Sequence, residues 1–224
     1  MKVIAVMGFL GSGKTSSILS LARFLTAEAG KKVAILVNEA GEIPIDGAVL
    51  TAGGNQVKEI FAGCICLMAD DLVAAMVELG QVPNLDFIVV EPSGKANASR
   101  LIYLLGQLGF SPVGRPPLPG CTLHRRVTVV DGARFDLLLR AARFLLAGAV
   151  EVADVVLINK IDLIDEKTLC SVVQRVQRIN PRAQVLTTSA IRGIPSSIWR
   201  AVEGTGNGVC DHLSPARRSW QGQL

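Results

Sequence analysis

Residues 8–15 read Gly8-Phe9-Leu10-Gly11-Ser12-Gly13-Lys14-Thr15 and fit G-x-x-x-x-G-K-[ST] at all four fixed places. Small residues let the backbone curl until successive N–H groups point to one side, which makes a nest for phosphate oxygens. In such a nest Gly8, Gly11, Ser12 and Gly13 supply backbone, and Lys14 reaches the β- and γ-phosphates. The Thr15 hydroxyl takes one position on Mg²⁺, and Ser16 closes the binding segment. The flanks agree with this reading. Residues 2–7 (KVIAVM) are an apolar run suited to a buried strand, and residues 14–29 carry Ile18, Leu21, Ala22 and Leu25 at helical spacing. Strand, glycine loop and helix follow in the required order, so a bound phosphate would sit at a helix N-terminus.

Outward from this loop the chain alternates. Apolar strand runs are predicted at 33–38 (VAILVN), 57–61 (VKEIF), 85–90 (LDFIVV), 127–130 (VTVV), 155–158 (VVLI) and 184–188 (QVLTT). Helices are predicted near 69–79, 97–108, 134–147, 166–178 and 195–203. The Pro/Gly-dense stretch 111–120 (SPVGRPPLPG) reads as a loop or flap, because a strand resumes just beyond it. Strands alternating with helices predict an α/β fold, a mostly parallel sheet with helices on both faces. Ligands in such folds lie at the carboxyl ends of the strands. Residues 8–15, 38–46, 63–67, 91–94, 159–162 and 189–190 all fall at such ends, and the topology would gather them in space.

The run Asn159-Lys160-Ile161-Asp162 chooses the base. The Asp162 carboxylate can accept from the N1–H and the exocyclic amine of guanine; adenine offers neither donor there and would leave a buried charge unpaired. Asn159 would brace the loop and contact the base, with Lys160 lying along the nucleotide. Ser189-Ala190, after the next strand, matches the backbone loop that meets guanine O6. Glu91 is the acidic group expected beside Mg²⁺, and Gly94 can offer its N–H to the γ-phosphate. Hydrolysis would be an in-line attack of water, with slow turnover in the absence of a partner. Glu39 and Asp46 are the candidates for orienting the water, and no glutamine or arginine finger stands out.

Composition narrows the class. With 224 residues, half of them hydrophobic and few aromatic, the chain suits one aliphatic α/β domain. A net charge of +4 is spread along it, with Arg125-Arg126 and Arg217-Arg218 the adjacent Arg pairs, so no nucleic-acid groove is indicated. The sequence enters the first strand directly, so no signal segment is expected. The most membrane-like stretch, 135–158, is interrupted by Asp136, Arg140, Arg143, Glu151 and Asp154, which excludes a membrane span. Five cysteines, an odd number, suit reduced thiols and a cytoplasmic location. The expected organisation is a GTP-binding domain over 1–203 and a flexible tail over 204–224.

Taken together, the sequence resembles the CobW/HypB/UreG family of P-loop GTPases, and within it the CobW-like branch. The matching segments are GFLGSGKTS at 8–16, VNEAGEIPIDG at 37–47, GCIC at 63–66, EPSG at 91–94, VTVVDG at 127–132 and EVADVVLINKIDL at 151–163. The resemblance implies a P-loop NTPase fold of the signal-recognition-particle/MinD-like class. It also implies GTP/GDP with Mg²⁺ as ligands, and a metallochaperone role: metal delivery, or maturation of a client metalloenzyme or cobalamin-related protein. Two departures from the family pattern stand out. The third position of its Cys-x-Cys-Cys run is Leu67, and the smaller C-terminal domain of CobW-like proteins is expected to be absent. Cys64 and Cys66 are candidate ligands for Zn²⁺, Co²⁺ or Ni²⁺, completed by Glu39 or Glu42, or by the same pair across the two-fold axis of a homodimer. Two other readings stay open: a metal-independent GTPase that activates a corrinoid-dependent enzyme or methyltransferase, and a P-loop ATPase or small-molecule kinase.

Overall fold

Strand β1 (Lys2–Met7), which leads into the glycine loop, lies between β4 (Phe87–Glu91) and β5 (Thr122–Asp131). The computed structural model describes residues 1–37, 59–61, 69–92, 97–109 and 118–204. Within them β2 (Val33–Val37), β3 (Glu59–Phe61), β6 (Val155–Asn159) and β7 (Gln184–Thr187) complete a seven-stranded sheet in the order β3-β2-β4-β1-β5-β6-β7. Every neighbouring pair is parallel. A parallel sheet needs crossovers that cover its faces, which is why its strands read as unbroken apolar runs rather than as alternation.

The covering helices are α1 (Lys14–Arg23), α2 (Ala69–Gly80), α3 (Ala98–Gln107), α4 (Phe135–Ala141), α5 (Arg143–Glu151), α6 (Glu166–Ile179) and α7 (Ser196–Glu203). Alternate residues of β1 serve opposite faces. Ile4 and Val6 pack with Ile18, Leu21 and Leu25 after the glycine loop and with Ile198 and Trp199 of α7. Val3, Ala5 and Met7 pack with Leu72 and Met76 of α2 and Leu101 and Leu105 of α3. A third cluster joins α4, α5 and α6 to β5, β6 and β7 through Phe135, Leu146, Val156 and Val173. Among the described residues no helix is long and apolar enough to cross a membrane.

Most predicted elements end within about two residues of the observed ones, and three differ more. The helix expected over 14–29 is α-helical to Arg23 and continues as a π-helical turn, Phe24–Glu28. The helix expected over 134–147 is two helices that meet at Ala142, whose φ of −139° lies outside the helical region. The break lets Phe135 and Leu138 on one side, and Leu146 and Val150 on the other, enter the same cluster. Strand β5 begins at Thr122, five residues before the apolar run. Its polar first half (His124, Arg125, Arg126) pairs with β1 through a register shift between Val3 and Ile4.

Candidate nucleotide site

The loop between β1 and α1 turns on its glycines. Gly8, Gly11 and Gly13 have φ of 145°, 71° and 97°, values that L side chains adopt only under strain. Space is closed as well. A Cβ on Gly8 would lie 2.2 Å from Val129 O, and one on Gly13 would lie 2.2 Å from Asn159 Nδ2. Lys14 is 5% exposed, and its Nζ donates to Phe9 O at 3.4 Å and lies 3.9 Å from Glu91 Oε1. The Thr15 hydroxyl faces both oxygens of Glu91, at 3.2 and 3.3 Å. Ser12 is buried and, among the described residues, its Oγ has no hydrogen-bond partner; Ser16 is exposed on the first turn of α1.

Side chains from the carboxyl ends of β5 and β6 hold the other side of the loop. Asn159 Nδ2 donates to Ser12 O at 2.9 Å, while its Oδ1 accepts from Lys160 N at 2.8 Å and Ala190 N at 2.9 Å. One carboxamide therefore ties together the glycine loop, the 159–162 loop and the 189–190 loop. The Ala190 N–H, expected from the sequence to face a guanine oxygen, is directed here at Asn159. Lys160 takes the left-handed conformation (φ 63°), and its Nζ bonds Gly11 O at 2.6 Å and Asp131 Oδ2 at 2.7 Å. Asp162 Oδ1 accepts from Ser189 Oγ at 2.5 Å. That hydrogen bond holds the Asp162 carboxyl below the usual carboxylate range.

Asp131 and Arg134 were given no role by the sequence. Asp131 ends β5, and its buried carboxylate accepts from Ala133 N and Arg134 N at 3.1 Å and from Arg134 Nε at 2.8 Å. Burial pulls its pKa up, but the hydrogen bonds from Lys160 and Arg134 outweigh burial and leave the carboxyl below its ordinary value. Arg134 in turn reaches Leu10 O and Gly11 O, at 3.4 and 3.2 Å. Asp131 stands inside the VTVVDG segment, but the contact exists only because β5 lies beside β1.

The structure thus brings the glycine loop, Glu91, Asn159, Lys160, Asp162, Ser189 and Ala190 to the carboxyl edge of the sheet. Glu39, Glu42, Asp46, Cys64, Cys66 and Gly94 lie outside the described residues, as do most of 111–120 and the tail beyond Gly204. Among the described residues no group of three His, Cys, Asp or Glu is placed to hold a metal.

A family model, the CobW/HypB/UreG nucleotide-binding domain, matches residues 2–187. The chain is similar to the zinc chaperone CobW of Sinorhizobium sp, at 31% identity over 200 residues, covering 75% of this chain and 52% of the relative. It is also similar to zinc-regulated GTPase metalloprotein activator 1 of Dictyostelium discoideum, at 29% identity over 221 residues, covering 84% of this chain and 45% of the relative. The chain spans about half the length of these curated relatives. Among solved structures, the Zn(II)-bound YjiA GTPase from E. coli superposes with a TM-score of 0.59 at 24% identity, covering 84% of this chain and 57% of that one. At that identity the likeness speaks for the fold, a P-loop NTPase sheet. By the family model and the segments that carry the match, the chain belongs to the CobW/HypB/UreG family.

Proposed function

We propose that this domain binds and hydrolyses GTP, and that the nucleotide state controls the handing of a metal ion to a client metalloprotein. Two loops that meet at one carboxamide support the reading: Asn159 joins the phosphate loop to the loop carrying Asp162, whose ionised carboxylate is held by Ser189. Phosphate recognition and guanine recognition are then parts of one hydrogen-bonded unit. The relatives' names, a zinc chaperone and a zinc-regulated GTPase metalloprotein activator, point the same way.

In this reading the backbone N–H groups of 11–15 hold the phosphates, and Lys14 swings from Phe9 O to the β/γ bridge. Asp162 takes the two guanine donors, and Asn159 braces the base loop. Thr15 Oγ1 and the Glu91 carboxylate are hard oxygen donors already within 3.3 Å of each other, a set that suits Mg²⁺. When bound there, Mg²⁺ neutralises charge on the phosphate oxygens. Water attacks the γ-phosphorus in line, a new P–O bond forms and the bond to the β-phosphate oxygen breaks, releasing GDP and phosphate. Glu39 or Asp46 orients the water, and Gly94 meets the γ-phosphate. Turnover is slow in the absence of the client. The cargo ion, Zn²⁺ or the similar Co²⁺ and Ni²⁺, is held by Cys64 and Cys66, completed either by Glu39 or Glu42 or by the same cysteine pair of a second cytoplasmic chain in a homodimer. A cobalamin-related client would fit the same scheme with Co²⁺.

Titration of GTP and ATP, each with and without Zn²⁺, tests this. GTP is expected to bind at least about a hundredfold more tightly than ATP, with Asp162→Ala removing most of the difference. Cys64→Ala/Cys66→Ala is expected to abolish Zn²⁺ uptake and leave GTP binding intact. ATP binding as tight as GTP would replace the reading by an ATPase or kinase. GTP binding without any metal uptake would leave a metal-independent GTPase activator.

A further inference from the structure

The phosphate loop owes its shape to side chains that come from outside it. Leu10 O accepts from Arg134 Nη2, Gly11 O accepts from Arg134 Nη2 and Lys160 Nζ, and Ser12 O accepts from Asn159 Nδ2. In a trans peptide the C=O and the following N–H point opposite ways. Drawing these three carbonyls toward β5 and β6 therefore turns the N–H groups of Gly11, Ser12 and Gly13 to the other side, where an anion would lie. The Ser12 N–H donates within the loop, to Phe9 O at 3.2 Å. The left-handed φ of Gly11 and Gly13 is the backbone's part of the same arrangement.

Two of the three carbonyls are held by cations that share one anion. Asp131 divides its work between its oxygens. Oδ1 accepts from Ala133 N and Arg134 N and shapes the turn into α4. Oδ2 accepts from Arg134 Nε and Lys160 Nζ. Its side chain is 1% exposed, and both its cation partners reach on to the loop carbonyls. We propose that Asp131 is the positioning residue of the phosphate site: by fixing Lys160 and Arg134 on the outer carbonyls of the loop, it sets the affinity for the polyphosphate. Arg134 is thereby assigned as the second outer clamp, beside Lys160. The inference rests on the GTP-binding reading above.

Asp131→Asn separates the two oxygens' roles, because it keeps an acceptor for the turn and replaces the acceptor that faces the cations by a donor. The experiment measures Kd for a fluorescent GDP analogue with the parent, with Asp131→Asn, with Lys160→Ala/Arg134→Ala, and with the triple variant. Asp131→Asn is expected to raise Kd about tenfold in the parent, and less than about twofold once both cations are gone. An unmoved Kd, or the same fold-change in both backgrounds, would overturn the inference, since a purely structural role costs the same in either. If Asp131→Asn does not fold, Lys160→Gln and Arg134→Gln decide instead. Each must weaken GDP and the pair must be less than additive, because both act on Gly11 O; silence or additivity overturns the proposal. A parent chain that binds GDP while Asp131→Asn binds equally well removes this inference alone. A parent that binds no guanine nucleotide removes the GTP reading and this inference with it.

Discussion

Asn159 makes three hydrogen bonds with one carboxamide while 2% exposed. Truncation leaves Ser12 O, Lys160 N and Ala190 N without it. At about 1 kcal/mol net for each bond, Asn159→Ala is expected to cost about 3 kcal/mol of stability. Urea unfolding of the nucleotide-free protein measures this. If the cost is below about 1 kcal/mol, the three loops are held by something else. At this scale the sequence was most legible where spacing is fixed by chemistry. Gly8 and Gly13 stand where a side chain would strike Val129 or Asn159, and Asn159 stands where it ties the glycine loop to the 189–190 loop. Asp131 and Arg134 were not legible, because their partners are Leu10, Gly11 and Lys160. Nothing in chain order says that the end of β5 touches the first loop.

Helix α1 carries the phosphate loop, and α7 carries its anchor. Trp199, buried against α1, donates from Nε1 to Ser20 Oγ at 2.9 Å. Ser196 and Arg200 of α7 both reach Glu28 at the end of the π-helical turn, at 2.5 and 3.5 Å. Ser20→Ala leaves a buried indole N–H unsatisfied and is expected to cost about 1–3 kcal/mol, although Ser20 is only half-buried. Urea unfolding checks it, with Trp199→Phe/Ser20→Ala compared with Trp199→Phe alone. Once the indole is gone, Ser20→Ala should cost little. Element existence and order followed from apolar runs, but element ends did not. The split at Ala142 has no Gly or Pro to announce it; it comes from packing two apolar faces into one cluster. The early start of β5 comes from pairing with β1, which polar residues at 124–126 gave no reason to expect.

At the scale of the whole molecule, folding lowers the pKa of both Asp131 and Asp154. In Asp154, as in Asp131, burial raises the pKa and is outweighed, here by hydrogen bonds from Arg126. Each folded carboxyl protonates at a lower pH than the same group unfolded, near ~4. The stabilisation is therefore complete above that pH and is lost as pH falls through the folded-state values. The contribution of these two carboxyls to the unfolding free energy is expected to be flat above about pH 5 and to fall on acidification. Asp154→Asn, remote from the nucleotide loops, should flatten the acid limb; urea melts at a series of pH values would show it, and an unchanged slope would assign the acid sensitivity elsewhere. The sheet order carries one more consequence. Strand β1 waits for residue 91 on one side and residue 131 on the other, and the glycine loop waits for the carboxamide of residue 159. At roughly 5–20 residues per second of synthesis, this loop spends roughly 7–30 seconds before the residue that frames it is made. The loop takes its final shape only after β5 and β6 have been made, so ligand capture follows the pairing of those strands rather than preceding it.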